Sequence, residues 1–246
     1  GPSSVKTLVL VDGRPVNDAW NGGVNWLAIP AEQVERVEVV RGPGSALYGS
    51  RSSGGVIHVF TRKPQPGFHG WLSLGRELNM SEDLSSGRGY GRPEVGANRL
   101  GLNGSFGGEK SSHFVSFGYR DAEQKFPTPN KNTWDNYDAM YKGSYDVSEN
   151  LKTGLTLESH SNKWESKASR SPNEDEDKYF SADFNARWQT GKGVFNGRAY
   201  LNNTDNDNTV YASNLKTGST TRRTGLMLDY TLPLSNTAML TAGFDG

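Results

Sequence analysis

The sequence has no cysteine, which excludes disulfide bonds and thiolate metal sites. It also has no run of about 18 apolar residues, the length at which a segment becomes a candidate membrane-spanning helix. Its 27 basic and 27 acidic residues leave no net charge. A nucleic-acid-binding surface needs a basic excess, so that class of protein is disfavoured.

Apolar residues are scarce as well, at 33% of the 246 residues, whereas there are 30 glycines and aromatic residues make up 11%. A packed soluble core normally requires a larger apolar share. This composition is typical of strands that present one apolar face to lipid and one polar face to a watery lumen. The length allows either one large β domain or two ordinary domains.

Residues 34–63 have the most informative pattern in the chain. Four valines within the first seven of these residues predict a β-strand, because β-branched side chains favour strands. Arg41-Gly42-Pro43-Gly44 then breaks the strand, since proline lacks an N–H and glycine tolerates positive φ. Gly54-Gly55 precedes a second apolar strand and allows another backbone to pack closely.

This ordered series resembles the second half of the plug domain of TonB-dependent outer-membrane receptors. Two positions depart from the family pattern, which usually has Asn in place of His58 and often an acidic residue or Asn near Arg51. The matching motifs are Ile29-Pro30, Val34-Glu35-Arg36-Val37-Glu38-Val39, Arg41-Gly42-Pro43, Tyr48-Gly49-Ser50, Gly54-Gly55-Val56-Ile57 and Thr61-Arg62-Lys63. The plug core motif that the resemblance marks comprises Glu35, Arg36, Glu38, Arg41, Gly42, Pro43, Tyr48, Gly49, Gly54 and Gly55.

After residue 66, apolar and polar residues alternate with a period of two, which predicts β-strands. Short connections between them alternate with longer ones at 79–97, 123–135, 162–177 and 205–221, as in an outer-membrane barrel with tight periplasmic turns and long extracellular loops. Eight strands are predicted near residues 68–78, 98–107, 112–122, 136–147, 151–161, 178–190, 193–204 and 222–234, with a ninth beginning near 237.

We therefore expect a mostly β chain with two domains. Residues 1–66 would be the C-terminal part of an α+β plug domain, and residues 67–246 the first strands of an antiparallel transmembrane β-barrel. Receptors of the family close at about 22 strands, so these strands would form an incomplete barrel. We expect the sequence to be an internal portion of a longer receptor, lacking the N-terminal region with the TonB box that the TonB energising complex binds.

The loop at residues 18–26 is the leading candidate for ligand binding. The resemblance places the corresponding plug loop on the extracellular side, in contact with the substrate. Trp20 and Trp26 have planar rings that can stack on a ligand, and Asn21 and Asn25 can hydrogen-bond to it. The alternative is that both tryptophans only pack the plug against the barrel wall.

The sequence also allows predictions about the ion pairs of four charged plug residues and about the position of four aromatic residues. The resemblance implies that Glu35, Arg36, Glu38 and Arg41 pair with charges on the inner barrel wall, since buried charges need partners. The alternative is pairing within a fixed plug. A second set falls at the bases of predicted loops and is expected in the aromatic girdle at the membrane interface: Trp134, Tyr137, Trp164 and Tyr211.

No catalytic residue, metal site or cofactor is predicted. The histidines at 58, 69, 113 and 160 lack ligand-like spacing. The runs Glu174-Asp175-Glu176-Asp177 and Asp205-Asn206-Asp207-Asn208 contain clustered oxygen ligands of the kind that Ca²⁺ favours. The second run lacks the Gly and the terminal Glu of an EF-hand, so solvated loops are expected, with calcium binding as the alternative.

The resemblance implies TonB-dependent uptake of a scarce nutrient across the bacterial outer membrane. Residues 26–43 are most similar to the siderophore branch, so a ferric siderophore is the expected ligand, with cobalamin, heme or an oligosaccharide as alternatives. Outer-membrane lipid and a bacteriocin or phage at the outer loops are further expected partners. The alternative from a different class is a soluble β-rich carbohydrate-binding or adhesion module, whose sandwich core would need larger inward apolar faces.

Overall fold

The computed structural model describes residues 7–17, 22–42, 54–79, 94–125, 131–167, 172–234 and 239–245. Within these ranges, no helix has both the length and the apolar character needed to cross a bilayer. The chain divides into two compact units, Gly1–Lys63 and Pro64–Gly246. The domain limits 1–66 and 67–246 stay a prediction.

The first unit contains a four-stranded mixed sheet in the order β2-β1-β4-β3. β1 and β4 run parallel in its centre, while β3 pairs antiparallel with β4. A 3₁₀ turn at residues 31–33 leads directly into β3. The elements are β1 Thr7–Val11, β2 Arg14–Pro15, the 3₁₀ turns Trp26–Ala28 and Ala31–Gln33, β3 Val34–Arg41 and β4 Gly55–Thr61.

The core of this unit lies between β1 and β4, where Leu8, Leu10 and Val56 form one buried cluster. The last four residues of β1 are all buried, on both faces of the strand, which explains its uninterrupted apolar sequence. Gly55 opens β4 with φ +128°, and a Cβ there would lie 2.6 Å from the carbonyl oxygen of Val40. Only glycine satisfies both constraints, which confirms the close approach expected at Gly54-Gly55.

The second unit is one open antiparallel sheet of nine strands in sequential order from β5 to β13. All nine predicted strands are present, and the mostly β fold class is confirmed. The strands are β5 Gly67–Asn79, β6 Glu94–Gly107, β7 Ser111–Lys125, β8 Lys131–Ser148, β9 Leu151–Ser166, β10 Asn173–Gln189, β11 Val194–Val210, β12 Leu215–Pro233 and β13 Met239–Asp245.

One face of this sheet carries a band of exposed apolar side chains, and the residues between them carry polar side chains on the other face. The cross-strand register keeps the two faces separate from β5 to β13, because directly paired residues point to the same side. We call them the apolar face and the polar face. Exposed members of the apolar band include Leu72, Leu74, Leu102, Val115, Phe117, Leu157, Phe180, Phe184, Trp188, Leu226, Tyr230 and Phe244.

The predicted long connections are shorter than expected. Residues 205–210 and 215–221 continue β11 and β12, leaving only a four-residue turn at 211–214. The strict alternation of short and long connections is therefore wrong at this position. The two strands stay paired past the apolar band because backbone hydrogen bonds do not depend on side-chain polarity. The alternation of apolar and polar residues, from which the strands were predicted, ends where the strands leave that band.

Candidate functional site

Asn17 anchors the base of the proposed ligand loop. Its Oδ1 accepts a hydrogen bond from the Val9 amide at 2.7 Å, and its Nδ2 donates to the carbonyl oxygens of Thr7 at 3.1 Å and Gly22 at 3.0 Å. The side chain is buried, so these bonds tie the two ends of residues 17–22 to β1. The sequence analysis missed Asn17, although an Asn just before a Gly-rich loop is a common turn signal.

The four predicted ligand contacts are only partly described. Trp20 and Asn21 lie outside the described residues. Trp26 begins a 3₁₀ turn with 55% of its surface exposed, and Asn25 immediately before it is also exposed. Both residues are accessible to a ligand, and their role stays a prediction.

The charged plug residues on β3 are exposed, and Arg36 pairs with two glutamates of the same strand. Arg36 Nε lies 2.8 Å from Glu38 Oε1, and its guanidinium lies 3.7 Å from the centre of the Phe60 ring. A longer contact of 3.9 Å joins Arg36 to Glu35. Arg41 ends the strand, and Gly42 follows it with φ +91°. Pro43, Tyr48 and Gly49 lie outside the described residues.

A row of polar residues crosses the polar face beyond the level of the apolar band. Arg99 of β6 is paired directly with Arg120 of β7, so both side chains lie on the same face of the sheet. Arg120 Nε, Asn136 Oδ1 and Asn162 Oδ1 are buried and have no hydrogen-bond partner among the described residues. In order across the sheet, this polar row comprises Arg99, Arg120, Asn136, Asn162, Asp177 and Asn206.

Two tryptophans lie next to this row, two positions further along their strands. Trp134 of β8 pairs directly with Trp164 of β9, on the polar face. The expectation that both belong to a lipid-facing girdle is wrong, because strand parity places them opposite the apolar band. Tyr137 does lie on the apolar face, and Tyr211 lies in the turn after β11. Loop-base position alone did not reveal which face each residue takes.

A charged network lies beyond the apolar band, around the turn at 211–214. The Tyr211 hydroxyl donates to Glu174 Oε2 at 2.7 Å, and Lys163 Nζ lies 2.9 Å from Glu165 and 3.3 Å from Glu174. The Tyr211 hydrogen bond, aided by Lys163, holds the pKa of Glu174 below its ordinary value. The two glutamates raise the pKa of Lys163 in turn.

The acidic runs are strand segments and not loops. Glu174 and Glu176 alternate across the sheet with Asp175 and Asp177, so the four carboxylates do not converge. Among the described residues, no group of three or more His, Asp or Glu side chains is placed to hold a metal ion. The calcium alternative therefore gains no support from the described part of the chain.

Comparisons with known proteins agree with this arrangement. Residues 1–56 match the family model of the TonB-dependent receptor plug domain. Over 61 residues the chain is 56% identical to the vitamin B12 transporter BtuB of Vibrio vulnificus, a match covering 25% of this chain and 10% of that protein. Over 86 residues it is 42% identical to the ferric enterobactin receptor of Pseudomonas aeruginosa, covering 30% and 11%.

The fold is that of a solved receptor. The crystal structure of the siderophore receptor PirA from Acinetobacter baumannii superposes on all of this chain with a TM-score of 0.72, at 21% identity and over 40% of the PirA chain. A plug sheet followed by antiparallel strands with one apolar face defines an outer-membrane receptor architecture. Residues 1–56 carry the plug domain of the TonB-dependent receptors, and the chain as a whole has the fold of such a receptor. It spans less than half the length of the relatives it matches.

Proposed function

We propose that this protein takes up an anionic ferric siderophore across the outer membrane by TonB-dependent transport. The observation that carries this proposal is the direct pairing of Arg99 with Arg120 on the polar face, next to the pair Trp134 and Trp164. A pair of cations and a pair of aromatic rings is the recognition chemistry that an anionic, aromatic iron chelate requires.

The arginine pair favours an anionic ligand on physical grounds. Like charges directly opposite each other on neighbouring strands destabilise a sheet. An anionic ligand that approaches these two side chains would gain charge-assisted hydrogen bonds. The buried Nε of Arg120, without a partner among the described residues, supplies a donor for such a ligand.

The tryptophan pair supports an aromatic ligand. Trp134 and Trp164 are half-buried, and each offers a large ring face with a single N–H donor. Stacking of aromatic groups contributes about 0.5–1.5 kcal/mol beyond the burial of apolar area. In the plug unit, Trp20, Asn21, Asn25 and Trp26 stay the proposed ligand contacts.

The relatives support the same ligand class. One receptor with 42% identity over the matched segment is named for ferric enterobactin. The energising TonB complex would act through the plug and change its position once the ligand is bound. The ligand is carried and not chemically altered, so the proposal needs no catalytic residue and no cofactor.

The test is a tryptophan-fluorescence titration of the protein purified from outer membranes in mild detergent. The titrants are ferric siderophores, heme, cobalamin and maltooligosaccharides. We expect saturable quenching by an anionic ferric siderophore, and a dissociation constant raised about tenfold to a hundredfold in Arg120→Gln, equivalent to about 1.4–2.8 kcal/mol. Arg222→Gln, on the apolar face, is the matched control and should bind normally. Unchanged binding in Arg120→Gln would contradict the proposal.

Cobalamin is the second candidate, because the matched segment is 56% identical to a vitamin B12 transporter. That match covers only 25% of the chain. Cobalamin bears no cluster of negative charges, so its binding would not depend on Arg120. Quenching by cobalamin that persists in Arg120→Gln would select this candidate over the siderophore.

A further inference from the structure

Asp175 is a half-buried carboxylate beside the tryptophan pair of the proposed ligand site. It lies on the polar face of β10, directly opposite Trp164 in the register of the sheet. Among the described residues it forms no hydrogen bond and no ion pair. A carboxylate that has lost part of its hydration without gaining a donor lies in an unfavourable environment, which a ligand with the right donors would improve.

The groups around Asp175 leave further acceptors unsatisfied. The next residue on the same face, Asp177, is a second carboxylate and accepts a hydrogen bond from Asn206 Nδ2. Asn162, paired with Asp177, and Asn173, two positions before Asp175, have buried Oδ1 atoms without a hydrogen-bond partner among the described residues. This part of the polar face therefore has an excess of acceptors.

The negative charge of Asp177 also acts on Asp175, which lies beyond the apolar band and thus outside the membrane-spanning part of the sheet. Burial and, after it, the Asp177 carboxylate raise the pKa of Asp175 above its ordinary value. The lysines of the same two strands, Lys163 and Lys178, lie on the opposite face. A cation supplied by a ligand would offset both the repulsion and the lost hydration.

Charge is ordered along this part of the polar face. The arginine pair lies on β6 and β7, the tryptophan pair on β8 and β9, and the two carboxylates on β10. Neighbouring strands lie about 4.8 Å apart, so β7 and β10 are separated by roughly 14 Å across the sheet. A ligand with an anionic group at one end and a cationic group at the other matches this order, whereas Asp175 would repel a uniformly anionic ligand.

We propose that the transported siderophore carries a cationic amine and that Asp175 is the residue that selects for it. This inference rests on the proposed function and specifies its ligand further. An ammonium group has three N–H donors and no acceptor, so it complements a surface with unsatisfied oxygen atoms. A sugar hydroxyl matches less well, because it needs a donor of its own. Aromatic ring faces attract cations, and Trp164 is the cross-strand partner of Asp175.

Two matched ferric chelates test the inference. One is a tris-catecholate complex with a primary amine on its backbone, and the other is the same complex with that amine acetylated. Fluorescence titration of the protein purified from outer membranes in mild detergent gives both dissociation constants. We expect the wild type to bind the amine form at least tenfold more tightly. Asp175→Asn should abolish this preference by weakening only the amine form, whereas Arg120→Gln should weaken both forms.

Asp207→Asn is the matched control, because Asp207 lies at the same end of the sheet but is exposed on the opposite face. It should keep the tenfold preference. The inference is overturned if the wild type binds both chelates equally, if the preference survives in Asp175→Asn, or if that variant loses both forms. In each of these cases, binding that depends on Arg120 leaves the proposed function in place. Failure of the wild type to bind either chelate overturns both proposals.

Discussion

The Tyr211 hydroxyl donates a hydrogen bond to Glu174 and thereby ties the turn between β11 and β12 to the start of β10. A second hydrogen bond joins the same two parts of the chain, because the Tyr211 amide donates to the carbonyl oxygen of Pro172, just before β10, at 3.0 Å. Lys163 of β9 contacts the same carboxylate. Three neighbouring strands, β9, β10 and β11, are therefore linked beyond the apolar band.

Tyr211→Phe should loosen this turn at neutral pH. The pKa of Glu174 is lowered in the folded protein, chiefly by the Tyr211 hydrogen bond. A carboxylate with a depressed pKa stabilises the fold above its unfolded pKa and loses that effect as the pH falls through the folded value. Hydrogen–deuterium exchange of residues 211–214 should be faster in the variant at neutral pH, and this difference should shrink as the pH falls through the folded pKa of Glu174. A difference that persists in acid would contradict the role of Glu174.

Ser181→Ala should destabilise the sheet more than Ser116→Ala. The two serines lie in the same cross-strand row and are both buried. Ser181 Oγ donates to Glu158 Oε2 at 2.7 Å, whereas Ser116 Oγ has no hydrogen-bond partner among the described residues. Losing a donor to a buried carboxylate costs about 1–3 kcal/mol. Urea unfolding in detergent measures both variants, and equal midpoints would exclude a stabilising Ser181–Glu158 bond.

Gly55→Ala should destabilise the plug sheet. The residue has φ +128°, and the new Cβ would lie 2.6 Å from the Val40 carbonyl oxygen. Backbone strain of this kind costs about 1–3 kcal/mol. Gly42→Ala is the control that separates backbone strain from the close contact. Its φ is +91°, but no atom of the described residues would lie within 4 Å of the new Cβ. Limited proteolysis of the plug should be faster in Gly55→Ala than in Gly42→Ala.

Leu228→Arg should impair barrel assembly, whereas Asp229→Asn should not. Leu228 pairs with Gly197 and Phe244 on the apolar face, so a charge there would contact lipid. An arginine near the bilayer midplane costs about 2–4 kcal/mol. Asp229 accepts a hydrogen bond from Asn196 at 2.6 Å on the polar face, and an asparagine can accept the same bond. The yield of heat-modifiable barrel is the measurement, and the reverse order of effects would show that the faces are assigned backwards.

Asn17→Ala should weaken ligand binding without preventing barrel assembly. The substitution removes the hydrogen bonds to Val9, Thr7 and Gly22 that fix the base of the loop. We expect a smaller loss of affinity than in a deletion of residues 18–26, because the contact residues remain. Fluorescence titration with the identified siderophore measures both variants. Normal affinity in the deletion would remove this loop from the binding site.

The local pattern was sufficient to predict the strands and their faces. Strict alternation placed Leu228 and Asp229 on opposite sides, because side chains of a strand alternate whatever the strand pairs with. The glycine at 55 was readable as well, since its positive φ is a local conformation that glycine favours. The sequence by itself thus determined the β architecture, the apolar face and the resemblance to the plug.

Only the tertiary structure decided which distant residues meet. Arg99 and Arg120 are paired through a register that depends on the turn at 108–110, and no pattern within either strand reveals it. Trp134 and Trp164 were assigned to the wrong face because their loop-base position was considered without strand parity. The sequence pattern also did not predict that β11 and β12 extend past the apolar band, because backbone pairing continues where the alternation of apolar and polar residues ends. Cross-strand register is a property of two chain segments together, and it is what brings Arg99 and Arg120 together in the proposed ligand site.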